Sequence, residues 1–177
     1  MYADNTLTPK EAARLCALGT LASESKTYGA LAEQVRHFID RVQGPTLDVL
    51  GSSLELLKYE GLVESQGDGD DAPLRITSAG RAELETLLTA DVRPGATDLN
   101  KLIVALKFRF LHLLDAAAQA DQVDALVDVA ETELARLTDL RGHHSAEPGH
   151  LPAWLDREID ELESHLTWLG EFKDGLA

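Results

Sequence analysis

The sequence predicts a mainly α-helical protein with one short β-hairpin, arranged as two domains. Aromatic residues make up only 5% of the chain while 44% is apolar, which favours aliphatic helix packing over a β-sandwich. Apolar residues recur at helical spacings of three and four along most of the 177 residues. Pro94-Gly95 marks a boundary between a half that contains the hairpin and a half that is helical throughout. We therefore predict domains at 1–92 and 93–177.

A first helix is predicted from Pro9 to about Ser23. Thr8-Pro9-Lys10-Glu11 is a capping box with proline at the first helical position, so the helix has a clear start. The polar segment 23–26 ends it. Cys16 falls on the apolar side of this helix and is the single cysteine of the chain, so it cannot form an internal disulfide. We predict that it is a small buried side chain.

Two further helices follow. The second is capped by Thr27 and runs to Val42, and the third begins after Gly44-Pro45 and stops at Glu60-Gly61. Each carries one apolar stripe at helical spacing, formed in turn by Leu31, Val35, Phe38 and Val42 and by Leu47, Leu50, Leu54 and Leu57.

The hairpin comes next. Residues 62–65 and 74–77 are predicted as strands around a tight acidic turn at 67–71, and Thr77 or Ser78 then caps a fourth helix. A helix, a turn, a helix and a hairpin in this order form a winged helix-turn-helix domain, whose second helix normally lies in the DNA major groove. The fold class is therefore mainly α, with a winged helix-turn-helix domain followed by a helical dimerisation domain.

The second domain is predicted to be helical from end to end. One helix covers 99–114, the next opens near Asp121, and the last begins near Pro152. The last helix carries a 4-3-4-3 apolar spacing typical of a coiled-coil seam, made of Leu155, Ile159, Leu162, Leu166 and Leu169. Such a narrow seam needs a partner, so we expect a homodimer. Trp154 and Trp168 flank this seam and predict either interface anchors or an aromatic ligand pocket.

Several motifs, taken in order, resemble the PadR family of winged-helix transcriptional regulators. They are Tyr28-Gly29, Leu54-Glu55-Leu56-Leu57-Lys58-Tyr59-Glu60-Gly61-Leu62-Val63-Glu64, Arg75-Ile76-Thr77-Ser78-Ala79-Gly80-Arg81, Lys107-Phe108-Arg109-Phe110-Leu111 and Asp156-Arg157-Glu158-Ile159-Asp160-Glu161-Leu162. The resemblance implies a homodimeric regulator that binds double-stranded DNA. In this family it often implies repression that a small aromatic ligand relieves. The sequence departs from the family pattern at Gly51-Ser52 and in its acidic wing.

The DNA contacts predicted from the sequence are hydroxyls, helix N-termini and nearby cations. Backbone N–H groups at helix starts bind phosphate, and hydroxyls can reach phosphates or bases. The candidates are Lys26, Thr27, Tyr28, Arg36, Arg41, Thr46, Ser52, Ser53, Lys58 and Arg75.

The charge balance supports an alternative function. The net charge is −15, with −6 over residues 1–90 and −9 over residues 91–177, whereas DNA-binding domains are usually basic. The wing turn carries Asp68, Asp70 and Asp71. There are three interpretations of these carboxylates: a solvated turn held away from DNA, a contact with a basic protein surface, or a cation site. We favour the solvated turn. The alternative is a winged-helix dimer that has lost DNA binding and serves as a protein-protein interaction module.

Other function classes find little support. No nucleophile elbow, phosphate-binding glycine loop or dinucleotide motif is present, so we predict no enzyme activity and no cofactor. His143, His144, Glu147 and His150 form a cluster without the spacing of a helical zinc site, and we predict a polar loop there with no metal. With no signal peptide and no long apolar run, the sequence predicts a cytoplasmic protein without a membrane segment.

Overall fold

A computed structural model describes residues 5–44, 50–69, 71–95, 97–146 and 148–176, and over 50–53 it describes the backbone alone. Its elements, in chain order, are α1 Pro9–Ser23, α2 Tyr28–Gln43, α3 Leu50–Tyr59, β1 Val63–Ser65, β2 Leu74–Ile76, α4 Ser78–Leu88, α5 Asp98–Phe110, a 3₁₀ turn Leu111–Leu113, α6 Ala116–His143 and α7 Leu151–Asp174. They form two compact units: a first unit of Met1–Asp91 with Ala96–Leu114, and a second unit of Val92–Gly95 with Asp115–Ala177.

Helix α1 is the centre of the first unit. Its buried residues lie on every side, as expected for a helix surrounded by other elements, and it contacts α2, α3, α4, α5 and β2. Gly19 allows α5 to approach closely, because a Cβ placed there would lie 2.6 Å from the ring of Phe110. Cys16 is fully buried, as predicted from the sequence.

Threonine side chains cap the starts of α1, α2 and α4. Thr8 forms the predicted capping box with Glu11, whose carboxylate accepts the Thr8 backbone N–H at 2.7 Å. Thr27 Oγ1 accepts the N–H of Ala30 at 3.3 Å, and Thr77 Oγ1 accepts the N–H of Gly80 at 3.0 Å. These caps satisfy backbone donors that have no partner inside the helix. The predicted caps are therefore confirmed.

The two strands form an antiparallel hairpin, which we call the wing. Val63 lies opposite Ile76, and Glu64 lies opposite Arg75. Lys26 adds a bridge to the outer side of β2, with hydrogen bonds of 2.7 and 3.3 Å between its backbone and that of Leu74. The order α2, α3, wing and α4 confirms the predicted mainly α fold with a winged helix-turn-helix.

The structure changes two predicted helix boundaries. The helix predicted over 99–114 ends at Phe110, and the chain continues as a 3₁₀ turn. The next helix begins at Ala116 and not near Asp121, because Asp115 Oδ1 accepts the N–H of Ala118 at 2.8 Å and caps it. The first unit also takes in α5, which lies beyond the sequence boundary at residue 92.

The second unit is a helical hairpin of α6 and α7. Ion pairs between Arg141 and Asp156 near the turn, and between Lys173 and Asp124 at the far end, show that the two helices run antiparallel. Leu155 and Leu169 of the predicted seam are fully buried within the single chain.

Candidate nucleic-acid interface

The start of α2 brings three predicted contacts together. Thr27 is the N-cap, Tyr28 is the first helical residue, and Lys26 precedes them on the strand-like bridge to the wing. The free N–H groups at a helix start carry partial positive charge, which attracts phosphate. The first residue of β2 and the start of α2 are thus held together by the Lys26–Leu74 hydrogen bonds.

The α3 side chains that the structure describes separate into a buried and an exposed face. Leu54 and Leu57 are buried, whereas Lys58 is exposed. Thr46 lies outside the described residues, and the side chains of Ser52 and Ser53 do too. Their predicted roles in DNA contact stay predictions.

The predicted cations fall into two groups. Arg75 donates to Glu64 across the wing, with Nε at 3.1 Å from Oε1, and Lys26 Nζ lies 2.8 Å from Glu24 Oε2. Arg36, Arg41 and Lys58 are exposed, and across the parts of the chain that the structure describes none of them forms an ion pair. Two of the five cations therefore have a local counter-charge, and three are available to an external anion.

The wing tip keeps its acidic character on the surface. Asp68 and Asp71 are exposed, while Asp70 lies outside the described residues. Gly67 and Gly69 have φ angles of +122° and +121°, so glycine suits the tight turn. The described residues of this turn include no lysine or arginine.

The predicted interface residues of α7 divide by burial. Leu155 and Leu169 are fully buried in one chain, while Ile159, Leu162 and Leu166 are half-buried. Trp154 and Trp168 are 51% and 44% exposed. Trp168 stacks on His165 at 5.7 Å and lies 5.6 Å from Phe172, measured between ring centroids. These helix positions form an aromatic surface on the outside of the hairpin.

The described residues of the histidine loop show no metal-binding arrangement. His143 Nδ1 lies 3.1 Å from the backbone oxygen of Asp139, one turn earlier on α6. Among described residues, which exclude Glu147, no group of three potential metal ligands is found.

Two residues near the interface were not among the sequence candidates. Glu55 faces Tyr28: burial raises the pKa of the Tyr28 hydroxyl, and the negative charge of Glu55 raises that pKa further. Tyr59 is 90% exposed at the end of α3. Glu55 and Tyr59 do not belong to the apolar stripe of Leu50, Leu54 and Leu57. This position in the sequence is the signal that predicts their exposure. The Tyr28–Glu55 approach joins separate helices and has no local sequence signal.

Comparisons with known proteins give one family match and one similar solved structure of note. Residues 2–173 match the family described as "Putative AphA-like transcriptional regulator". The crystal structure of Bacillus subtilis PadR aligns over 97% of this chain and 98% of that chain, with 14% identity and a TM-score of 0.42. A search of curated proteins finds no match. Across the described residues, no helix is long and apolar enough to cross a membrane.

The matching family is PadR-like and winged-helix, so the resemblance drawn from the sequence motifs is confirmed. The match spans nearly the whole chain. The chain belongs to the AphA-like family of transcriptional regulators.

Proposed function

We propose that the protein is a homodimeric, DNA-binding transcriptional repressor that acts in the cytoplasm. The observation that carries the proposal is the winged helix-turn-helix itself, in which the capped start of α2 lies beside α3 and the wing. Arg36, Arg41 and Lys58 are exposed, and within the described residues they form no ion pairs. A repressor of this kind occupies its operator and blocks transcription until it is released.

The proposed DNA contacts are mostly to phosphates. The start of α2 offers backbone N–H groups together with the Tyr28 hydroxyl, and α3 offers Lys58. Because contacts to phosphate position a protein while contacts to base edges specify the sequence, operator choice falls to the first turns of α3. Thr46, Ser52 and Ser53 are the proposed base-reading side chains there.

The proposed dimer uses α7. Trp154 and Trp168 are large aromatic side chains with about half of their surface exposed, and Leu162 and Leu166 lie half-buried on the same helix. Tryptophan dominates the energetics of many protein interfaces. Two copies would then present two winged domains to two half-sites, as helix-turn-helix dimers do. A small aromatic effector would act on this dimer.

The DNA proposal is tested by fluorescence polarisation with duplex from the protein's own promoter region, at low and moderate salt. Three free cations per protomer give six per dimer, so the salt slope of log affinity should be roughly −5. Lys58→Gln removes two cations from each dimer, so it should weaken binding and reduce the magnitude of that slope by about 2. Lys101→Gln, which removes an exposed lysine from α5, should change neither.

The alternative is a winged-helix dimer that acts only through protein contacts. It is favoured by the net charge of −15 and by the two wing-side cations that already pair with Glu24 and Glu64. Absence of binding to promoter or random duplex at low salt and micromolar protein would reject the repressor proposal and favour this alternative. Equal effects of the Lys58 and Lys101 variants would also count against the proposed contact surface.

A further inference from the structure

A cavity of about 410 Å³ opens between the start of α2, the end of α3 and the wing. We call it the wing cleft. Its residues all belong to the first unit, and the ones that matter here are Tyr28, Leu54, Glu55, Lys58, Ser65 and Leu74. A volume of this size falls within the range of roughly 300–1,000 Å³ typical of small-molecule pockets.

The floor of the wing cleft is apolar. Leu54 and Leu74 are 3% and 6% exposed, so their side chains belong to the core and present only an edge to the cavity. Tyr28 is half-buried beside them. An apolar or aromatic group on a ligand would therefore gain buried contact area here without displacing a polar side chain.

Opposite charges line the same cavity. Glu55 and Lys58 lie three residues apart on α3, on neighbouring turns of its exposed side, and both line the cleft. Within the part of the chain that the structure describes, neither takes part in an ion pair. Glu55 is also near enough to Tyr28 to affect the ionisation of its hydroxyl, so the carboxylate faces the cleft from the α3 side.

We propose that the wing cleft binds a small zwitterion with an apolar side group, of the α-amino acid class. Lys58 Nζ pairs with the carboxylate of the ligand, Glu55 accepts hydrogen bonds from its ammonium group, and the side group lies over Leu54 and Leu74. A molecule with only one of the two charges leaves the other protein charge unmatched. Recognition therefore depends on both charges together.

The wing cleft also gives the ligand a direct effect on DNA binding. This part of the inference rests on the proposed function, in which Tyr28 and Lys58 contact phosphates. A ligand that occupies these two side chains competes with the DNA backbone for them, and it needs no change of shape elsewhere in the protein. The ligand would act as a competitive inducer at the DNA surface itself.

The binding test is isothermal titration calorimetry on the full chain without DNA. The probes are L-phenylalanine and L-leucine, with L-phenylalanine amide and 3-phenylpropionate as analogues that each keep one charge. We expect saturable binding of at least one amino acid, and about tenfold weaker binding of both analogues. Binding of 3-phenylpropionate as tight as that of phenylalanine, or no binding of either amino acid, overturns the proposal.

Matched variants locate the site. Glu55 and Lys58 are exposed, so Glu55→Gln and Lys58→Gln should preserve the fold, and each should weaken amino-acid binding about tenfold. Glu131→Gln and Lys101→Gln remove the same charges from exposed positions on α6 and α5 and should leave it unchanged. Equal weakening by the control variants places the ligand elsewhere and overturns the assignment to the wing cleft.

A DNA titration at saturating amino acid separates this proposal from the proposed function. A rise of tenfold or more in the apparent Kd for promoter duplex supports the competition. Amino-acid binding without any DNA binding leaves the wing cleft standing and rejects the repressor. DNA binding that the bound amino acid does not change rejects the competition and keeps the repressor.

Discussion

Lys107 places an ionisable amine in the interior of the first unit. Its side chain is 2% exposed, and Nζ donates to the backbone oxygen of Leu88 at 2.7 Å. Leu88 is the last residue of α4, so the lysine satisfies a carbonyl at the end of that helix, where positive charge is favourable. Burial nevertheless lowers the pKa of Lys107 to about 8, against the opposing charge of Asp91.

This lowered pKa predicts how stability changes with pH. Between about pH 8 and 10.5 the unfolded chain keeps the lysine proton while the folded chain releases it, so stability rises with pH in this window. Below about pH 8 the full cost of burying the charge is present, on the order of 3 kcal/mol. In Lys107→Met that contribution is absent.

The measurement is urea unfolding of both proteins from about pH 7 to about pH 10.5. The free energy of unfolding of the native sequence should rise relative to that of Lys107→Met across this window. The difference between the two proteins isolates the lysine from Cys16, whose pKa is raised by burial to about 11 and whose contribution runs in the opposite direction. A constant difference would show that burial does not lower the pKa of Lys107 in the fold.

Only some of the side-chain interactions could be predicted from the sequence. The Glu64–Arg75 pair follows from the hairpin register, in which the two residues lie directly opposite. The pairs of Arg14 with Glu60 and Glu83 connect α1 to the end of α3 and to α4, and no local pattern predicts them. The same holds for Arg109, which lies over Phe38 and Phe110 at 4.5 and 4.8 Å.

At the scale of elements, the attachment of α4 to the wing depends on Gly80. A Cβ at this position would lie 2.1 Å from the backbone oxygen of Leu62 and 2.8 Å from Ile76 Cγ1. We expect Gly80→Ala to lower the free energy of unfolding by roughly 1–3 kcal/mol, since the rigid backbone of the wing must move. Chemical unfolding monitored by circular dichroism measures the loss.

Gly29→Ala is the matched control. Gly29 is also near a helix start, yet a Cβ there meets nothing within 4 Å. Alanine loses less conformational freedom than glycine on folding, so this change should be neutral or stabilise by up to about 1 kcal/mol. Equal losses in the two variants would contradict the close packing at Gly80.

Element boundaries were predictable where a side chain marks them. Thr8, Thr27 and Thr77 each precede an apolar stripe, and each caps a helix in the structure. The start of α6 was placed too late because 116–120 is rich in alanine and shows no apolar periodicity, although Asp115 provides the cap. Helix propensity and a cap, without a stripe, start this helix.

At the scale of the whole molecule, the seam of α7 serves the single chain more than the sequence predicted. Leu155 and Leu169 are already fully buried in one chain. The apolar spacing of the five seam residues therefore does not show how much apolar surface remains for a partner. The two exposed tryptophans lie outside the strict seam. They are the large exposed side chains of α7 that the proposed dimer would cover.

The dimer is tested by changing Trp154 and Trp168 together to glutamate and measuring mass by sedimentation. The native protein should sediment at about twice the 19.2 kDa of one chain. Both tryptophans are 44% exposed or more, so the variant should stay folded and become monomeric. Changing Leu162 and Leu166 to glutamate should give a monomer or an unfolded chain, because these side chains are half-buried.

Ser164→Glu, an exposed polar position on the same helix, provides the control and should remain dimeric. Circular dichroism distinguishes a folded monomer from an unfolded chain. An intact dimer in both double variants would refute α7 as the interface.

The fold of the whole molecule was more predictable than its binding surface. Caps, stripes and turn glycines are local, and together they determine the order of helices and strands. The surface depends on which charges meet, and Lys26 and Arg75 show that a base counted in the sequence can already be neutralised in the structure. Net charge and residue counts therefore set limits on DNA binding without locating it.

Elements that come later in the sequence of the first unit depend on α1, its first helix, for their positions. The wing and α3 lie later in the sequence, yet β2 and α3 both rest against α1, which is buried on every side. Removing part of α1 would remove the packing surface that α3 and β2 share. The loss of stability should therefore exceed that from shortening an exposed chain terminus. The elements of the proposed DNA surface are thus positioned by a helix that carries none of the proposed DNA contacts.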